Sequence, residues 1–163
     1  MHTTIIQPSH NGLYLLTGNN EHLNAIYDNY QIDFPSKERK NYCTLKSLIE
    51  NGQYKLLLLK HSQIDNILGY ALIYDLSPLK ILWLDYIAIS PNYRGKGYGT
   101  YFFQHLLSDF SPQINGILLE VEIPNQLDLS NYQQQRNRIR FYEKLGAKKL
   151  KLNYLFPSSE GKR

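Results

Sequence analysis

The sequence predicts an α/β (α+β) fold: one mixed, mostly antiparallel central sheet with a parallel pair at its fourth and fifth strands, flanked by about four helices. Three observations carry this expectation. Residues 81–89 are apolar on both faces except at Asp85, as expected of a strand sandwiched between helices. Arg94, Gly95, Lys96, Gly97, Tyr98 and Gly99 follow as a glycine-rich turn, after which Phe102, Phe103, Leu106, Leu107 and Phe110 recur on one side of a helix. That helix, 97–110, carries the chain to a second apolar strand at 117–123, and such a crossover makes the two strands parallel.

The elements before this unit follow from local patterns. Residues 12–17 alternate as a short strand. Asn19 or Asn20 caps a helix whose Leu23, Ile26, Tyr27 and Tyr30 recur at helical spacing. Ser36 is placed to cap the next helix, with Glu38 in its first turn, Tyr42, Leu45, Leu48 and Ile49 as its apolar face and Gly52 as its stop. Cys43 falls within this pattern, with no base placed near it, and reads as an inert half-buried thiol. Residues 54–60 and 67–74 are strands joined by a turn-rich hexapeptide, and Ser77-Pro78 turns the chain into the strand at 81–89, completing an antiparallel meander.

After the crossover, 117–123 alternates so that Leu118, Glu120 and Glu122 share one face. Those carboxylates are either a solvated strand face or the lining of a cleft. Residues 124–129 form a loop, and Ser130 with Gln133 reads as a capping box for a helix carrying Phe141, Tyr142 and Leu145 up to Gly146. Residues 148–155 alternate as a last strand, and 156–163 read as a tail. One domain over 1–155 accounts for the length of 163 residues.

The glycine turn suits a diphosphate. Glycines let successive N–H groups face one anion, and the helix that follows adds unpaired N–H groups and its positive dipole end. Arg94 and Lys96 bring charge. A basic solvated turn is the alternative. Two known phosphate loops do not fit: Lys96 precedes Gly97 where the P-loop needs Gly-Lys-Ser/Thr, and Gly95, Gly97 and Gly99 lack the spacing of the dinucleotide fingerprint.

Composition narrows the classes further. The formal charge of +4 sits largely in the glycine turn, in Arg136, Arg138 and Arg140, and in the C-terminal residues, without an RNA-binding signature or a finger spacing, so no nucleic-acid partner is expected. No apolar run reaches the length of a membrane span and the start of the chain lacks a signal-peptide pattern, which leads to the expectation of a cytoplasmic protein with no membrane partner. One cysteine and five scattered histidines offer neither a disulfide nor a metal site.

The run LDYIAISPNYRGKGYGTYFFQHLL, with ILLEVEIP and RFYEKLGAKKL after it, resembles the GCN5-related N-acetyltransferases, the GNAT family. The resemblance implies acetyl-coenzyme A as cosubstrate, with its pyrophosphate on Arg94, Gly95, Lys96, Gly97, Tyr98, Gly99 and Thr100 and its pantetheine amides paired to the strand at Ile87, Ala88 and Ile89. It also implies direct transfer of acetyl to a primary amine, with that of a small molecule preferred, in a ternary complex, with Tyr142 facing the sulfur. Where the family often has Asn and Ala seven and four residues before that tyrosine, this chain has Gln135 and Arg138. The family's seventh strand is missing, which implies a shortened chain, a clipped fold or a partner, such as a second copy in a homodimer, supplying the edge.

Chemistry then sets roles. A primary ammonium with a pKa near about 10.4 must lose a proton to attack a thioester, and Asp85, Glu120 and Glu122 are the candidate acceptors. Backbone N–H groups near Ile87 are candidates for the oxyanion, and Tyr142 for the departing thiolate. A coenzyme-binding sensor without a working base is the alternative function.

Overall fold

The computed structural model describes residues 5–8, 12–110 and 112–152. Six strands form one sheet in chain order: β1 (Ile5–Pro8), β2 (Leu13–Thr17), β3 (Tyr54–His61), β4 (Ile64–Leu76), β5 (Ile81–Ile89) and β6 (Gly116–Leu119). Every neighbouring pair is antiparallel except β5 and β6, which are parallel. The helices are α1 (Asn20–Asp33) and α2 (Tyr42–Glu50) between β2 and β3, α3 (Tyr98–Leu106) between β5 and β6, and α4 (Tyr132–Lys144) after β6. The mixed sheet, its parallel pair and the four helices agree with the sequence expectation. The strand β1 was not foreseen; it is an edge strand, where the missing N–H of Pro8 costs little.

The period of two along β3 organises the core. Leu57 and Leu59 join Leu13, Leu15, Leu82, Leu84, Phe102 and Leu106 on the α3 side. Leu56 and Leu58 join Leu23, Ile26, Tyr30, Leu45, Tyr70 and Tyr86 on the α1 and α2 side. A strand buried on both faces needs this continuous leucine run, and its neighbours in the sheet supply the matching rows.

Register matters most in β5. Leu84 pairs with Ile73 and Tyr86 with Leu72, so Asp85 is an extra residue, a bulge. The bulge lets Asp85 and Tyr86 both reach the α1 and α2 side, where Asp85 meets Tyr54 and Tyr86 packs into the core. On the other edge of β5, pairing with β6 stops at Leu84 opposite Leu119. Beyond this rung β5 continues to Ile89 without a parallel neighbour.

Several boundaries differ from the sequence reading. Ser36–Glu38 is a single 3₁₀ turn, and α2 starts afresh at Tyr42, with the Asn41 side chain accepting from Thr44 N at 2.9 Å. A side-chain cap next to the helix outcompetes Ser36, which makes no capping bond. Asn19 caps α1 as expected, accepting from the amides of Glu21 and His22. The β3–β4 connection is a two-residue hairpin, since His61 pairs with Ile64. Cys43 is exposed, because α2 turns Leu45 inward instead.

The strand expected over 117–123 ends at Leu119, because the bulged β5 no longer offers it a ladder. Ser130 caps nothing: its hydroxyl donates to Asp128, and α4 begins at Tyr132 after Asn131 without a side-chain cap. Residues 148–152 of the expected last strand are irregular, with Leu150 and Leu152 exposed; an alternating pattern makes a strand only where an edge is available to pair with. Residues 153–155, and the tail after them, lie outside the described residues.

The helix α3 is fixed on the sheet through Phe102 and Leu106, both fully buried. Truncating Phe102→Ala should cost about 3–5 kcal/mol in urea unfolding, the usual penalty for emptying a buried aromatic site. A loss under about 1 kcal/mol would mean that α3 is anchored elsewhere.

Candidate active site

The glycine loop sits where β5 hands over to α3. Gly95 and Gly97 have φ of 75° and 78°, a left-handed conformation in which a side chain is strained, and Gly97 is the residue that caps α3. No atom lies within 4 Å of where a Cβ on either would stand. The Arg94 amide donates to Pro91 O and the Tyr101 amide to Gly97 O. Among the described residues, none of the amides of residues 95–100 donates to a protein carbonyl. A run of six N–H groups at a helix start, open on one side, is a ready acceptor of an anion.

Arg94 does more than add charge. Its Nε donates to Ile89 O at 2.8 Å and its Nη2 to Asp33 Oδ1 at 2.9 Å, while Tyr70 donates to the other Asp33 oxygen at 2.7 Å. The Asp33 side chain is 7% exposed and that of Arg94 53%. The guanidinium is thus a strut from the loop to the end of α1 and still meets solvent. Burial, and then the Asp33 carboxylate, push the Tyr70 hydroxyl well above its usual range, so it stays a donor. Lys96 is exposed, with Nζ 5.7 Å from the centre of the Tyr93 ring.

The second part of the site is the gap left where β6 departs. A cavity of about 60 Å³ opens there, lined by Phe34, Leu84, Asp85, Ile87, Leu119, Glu120, Arg138 and Tyr142. One water needs about 10–15 Å³ by this measure, so the gap has room for about four to six. The residues come from α1, β5, the end of β6 and α4, and the parted strands bring them together. The backbone of Ile87, Ala88 and Ile89 pairs with Ala71, Tyr70 and Gly69 of β4; among the described residues no strand pairs with its other edge, and Ile87 lines the gap. A larger hollow of about 170 Å³ lies along α4 between Pro124, Arg136, Ile139, Arg140 and Glu143 and shares no residue with the loop or the gap.

Tyr142 lies against Phe103 and Phe141 and reaches the gap. Burial raises the pKa of its hydroxyl, with Arg138 pulling the other way, so at neutral pH it is a proton donor. No protein group takes that donor among the described residues. Glu120 also lines the gap and likewise makes no hydrogen bond or ion pair among the described residues.

Asp85 is committed. It accepts from Lys40 Nζ at 2.6 Å and from the Tyr54 hydroxyl. Burial, and then this carboxylate, drive the Tyr54 hydroxyl far up, so it too remains protonated. Glu122 is not in the gap; it lies past the end of β6, where it shares a hydrogen bond with Glu38 and accepts from Gln135 Nε2 at 3.1 Å. Of the three candidate carboxylates, Asp85 and Glu120 therefore line one gap, the first paired and the second without a partner among the described residues, while Glu122 lies outside it. Lys40 and Glu38 were not foreseen as site residues; the only local sign of them is the charged run Lys37-Glu38-Arg39-Lys40 in the loop between α1 and α2.

The Glu38 carboxyl is pushed up from 4.5 to about 7, by burial first and by the Glu122 carboxyl second. Glu122 is held low by the hydrogen bond from Glu38, against its own burial. The pair so holds one proton up to about pH 7. A raised carboxyl stabilises the fold below its unfolded pKa and loses that contribution as pH rises through its folded one. The lowered Glu122 acts in the opposite sense, losing its contribution as pH falls below 4.5. Unfolding free energy of the wild type, compared with Glu38→Gln, should therefore fall as pH rises from about 4.5 to about 7 and level off above that. Parallel pH profiles for the two proteins would contradict the shared proton.

The sequence model of the acetyltransferase (GNAT) family matches residues 22–147. Among solved structures, the chain is similar to a protein assigned to the GNAT acetyltransferases of Bacteroides thetaiotaomicron, with 21% identity, 91% of this chain and 80% of that one covered, and a TM-score of 0.74. It is similar to the ribosomal-protein-S18-alanine N-acetyltransferase of Escherichia coli, with 22% identity, 91% and 86% covered and a TM-score of 0.63. A spermidine N-acetyltransferase chimera from Vibrio cholerae gives 15% identity, 82% and 78% covered and a TM-score of 0.62. At such identities these structures speak for the fold. No protein of curated function matches the sequence closely enough to count as a relative. Among the described residues no helix is long and apolar enough to cross a membrane.

Proposed function

The chain belongs to the acetyltransferase (GNAT) family, whose donor is acetyl-coenzyme A, and from that premise we propose an N-acetyltransferase that moves acetyl to a primary amine, preferably of a small molecule, by direct transfer in a ternary complex. The observation that carries the reading is the row of amides over residues 95–100, uncommitted among the described residues and laid at the start of α3, after the same strand β5 whose Leu84, Asp85 and Ile87 line the gap. In this reading the amides take the diphosphate, with Lys96 adding charge from solvent. Arg94 holds the loop in place through Asp33 and Ile89, and its exposed half supports the anion.

The edge of β5 at Ile87, Ala88 and Ile89 has no strand beside it among the described residues, which suits pairing with the amides of an extended arm. The same edge near Ile87 supplies N–H donors for the carbonyl oxygen as charge develops on it. Glu120, the uncommitted carboxylate in the gap, accepts the proton that the acceptor ammonium must lose, directly or through water. The amine nitrogen then bonds to the thioester carbon, the carbon–sulfur bond breaks, and the Tyr142 hydroxyl hydrogen-bonds or protonates the departing thiolate. The raised pKa of Tyr142 favours the hydrogen-bonding role at neutral pH.

Two variants test the parts separately. Tyr142→Phe should leave coenzyme affinity within about twofold and lower kcat roughly 10- to 100-fold, the worth of one hydrogen bond to a developing charge. Unchanged turnover would remove Tyr142 from the chemistry. Gly97→Val places a strained side chain in the open space of the loop, and calorimetry should show coenzyme A binding weakened by at least about 10-fold. Wild-type affinity would overturn the phosphate assignment. Thiol release measured over a panel of amines separates an enzyme from a coenzyme-binding sensor: the enzyme releases coenzyme A only when an acceptor is present, and a sensor never does.

A further inference from the structure

The loop between α1 and α2 sends one side chain back onto the sheet. Lys40 Nζ stands 2.6 Å from Asp85 Oδ2 and 5.3, 5.6 and 5.8 Å from the ring centres of Tyr86, Tyr74 and Tyr54. Ring centres within about 6 Å of an ammonium attract it through their negative faces, so a carboxylate and three tyrosines surround one cation. The backbone of Lys40 is held separately: its amide donates to the Tyr30 hydroxyl at 2.8 Å, and that hydroxyl donates to its carbonyl at 3.2 Å. The side chain is therefore a flexible stem on a fixed base, 29% exposed, ending in a primary ammonium. Asp85 belongs both to this cage and to the lining of the gap beside Tyr142 and Glu120.

We propose that the cage of Asp85, Tyr54, Tyr74 and Tyr86 is the subsite for the acceptor's ammonium, that it selects unbranched primary alkylammonium groups, and that Lys40 is its internal occupant, displaced when an acceptor enters. This rests on the acetyltransferase reading for the word acceptor, though not for the binding. The cage is formed around the ammonium that ends the four-carbon chain of a lysine, and a linear alkylamine presents the same group on an unbranched chain. Its position explains why an enzyme of amines would keep a carboxylate that is already paired: Asp85 anchors the cation while Glu120 remains free to take the proton. Displacement requires only rotation about the bonds of the Lys40 stem, because Tyr30 keeps the backbone in place. A tethered competitor lowers the apparent affinity by the fraction of time that it leaves the cage open. Removing it should tighten acceptor binding.

The test uses n-butylamine as probe and needs no coenzyme. Lys40→Met keeps the stem and removes the cation. In this variant n-butylamine should bind at least about tenfold tighter than in the wild type, with NMR shifts centred on Tyr54, Tyr74, Asp85 and Tyr86. Adding Asp85→Asn should abolish that gain, and tert-butylamine should bind more weakly than the linear isomer. If Lys40→Met is less stable, n-butylamine should restore its Tm by filling the vacated cage. In the wild type, whatever the fate of the variant, n-butylamine should move the Lys40 Cε signal toward that of a solvated lysine. Equal affinity in both proteins, shifts confined to other surfaces, or an unmoved Lys40 signal at saturating amine would each overturn the proposal. Failure of coenzyme A to bind, with the cage still taking n-butylamine, would instead count against the acetyltransferase reading alone.

Discussion

Two parallel strands that stop pairing in mid-sheet are the constraint from which the site follows. The ladder of β5 and β6 ends at Leu84 and Leu119, and Asp85 bulges one residue later. Backbone groups buried without partners are costly, so an edge exposed inside a sheet persists only if something else meets it. Here the facing wall is made by side chains from α1, α4 and the end of β6, with a small cavity between. The same bulge turns Asp85 and Tyr86 to one side, which sets a carboxylate at the mouth of the cavity and an aromatic wall beside it. One irregularity in one ladder thereby makes both a slot for an extended ligand and a polar corner for a cation.

The glycine loop depends on the same strand. Its approach is fixed by Arg94, whose guanidinium ties Ile89 at the end of β5 to Asp33 at the end of α1. A loop of left-handed glycines is entropically expensive to order, and the two hydrogen bonds from the Arg94 guanidinium fix where it sits. The strut and the cradle are then separate devices: side chains fix the loop's position, and backbone amides present its binding face. This division explains how an arginine read from the sequence as charge for a ligand can give hydrogen bonds to the protein from Nε and Nη2 and still meet solvent.

Most of the scaffold was legible in the sequence because its signals are local. The leucine run of β3, the apolar β5, the glycines after it and the apolar stripe of α3 each lie within about ten residues, so periodicity and turn chemistry suffice. The Asn19 cap and the parallel crossover follow by the same rules. What failed depends on distant partners. Whether 117–123 or 148–155 forms a strand depends on an available edge, and alternation says nothing about that. The bulge is a property of two strands taken together and has no mark in either alone. Lys40 meets Asp85 across 45 positions of sequence, and Glu38 meets Glu122 across a still longer stretch, so neither pairing has a spacing to detect. The capping residues failed for a different reason: Ser36 and Ser130 have the right chemistry, but Asn41 stands next to the start of α2, and the Ser130 hydroxyl donates to Asp128 instead of serving α4.

The central claim is that the amides of residues 95–100 are held open to receive a diphosphate and that the free edge of β5 receives the arm that follows it. An amide-resolved NMR titration of the full chain with coenzyme A addresses it most directly. Saturable shifts are expected that are largest at Gly95, Lys96, Gly97, Tyr98, Gly99 and Thr100, extend along Ile87, Ala88 and Ile89, and are small on β1 and β2. Saturable binding that leaves those loop amides unmoved, or no binding at millimolar coenzyme, would contradict it.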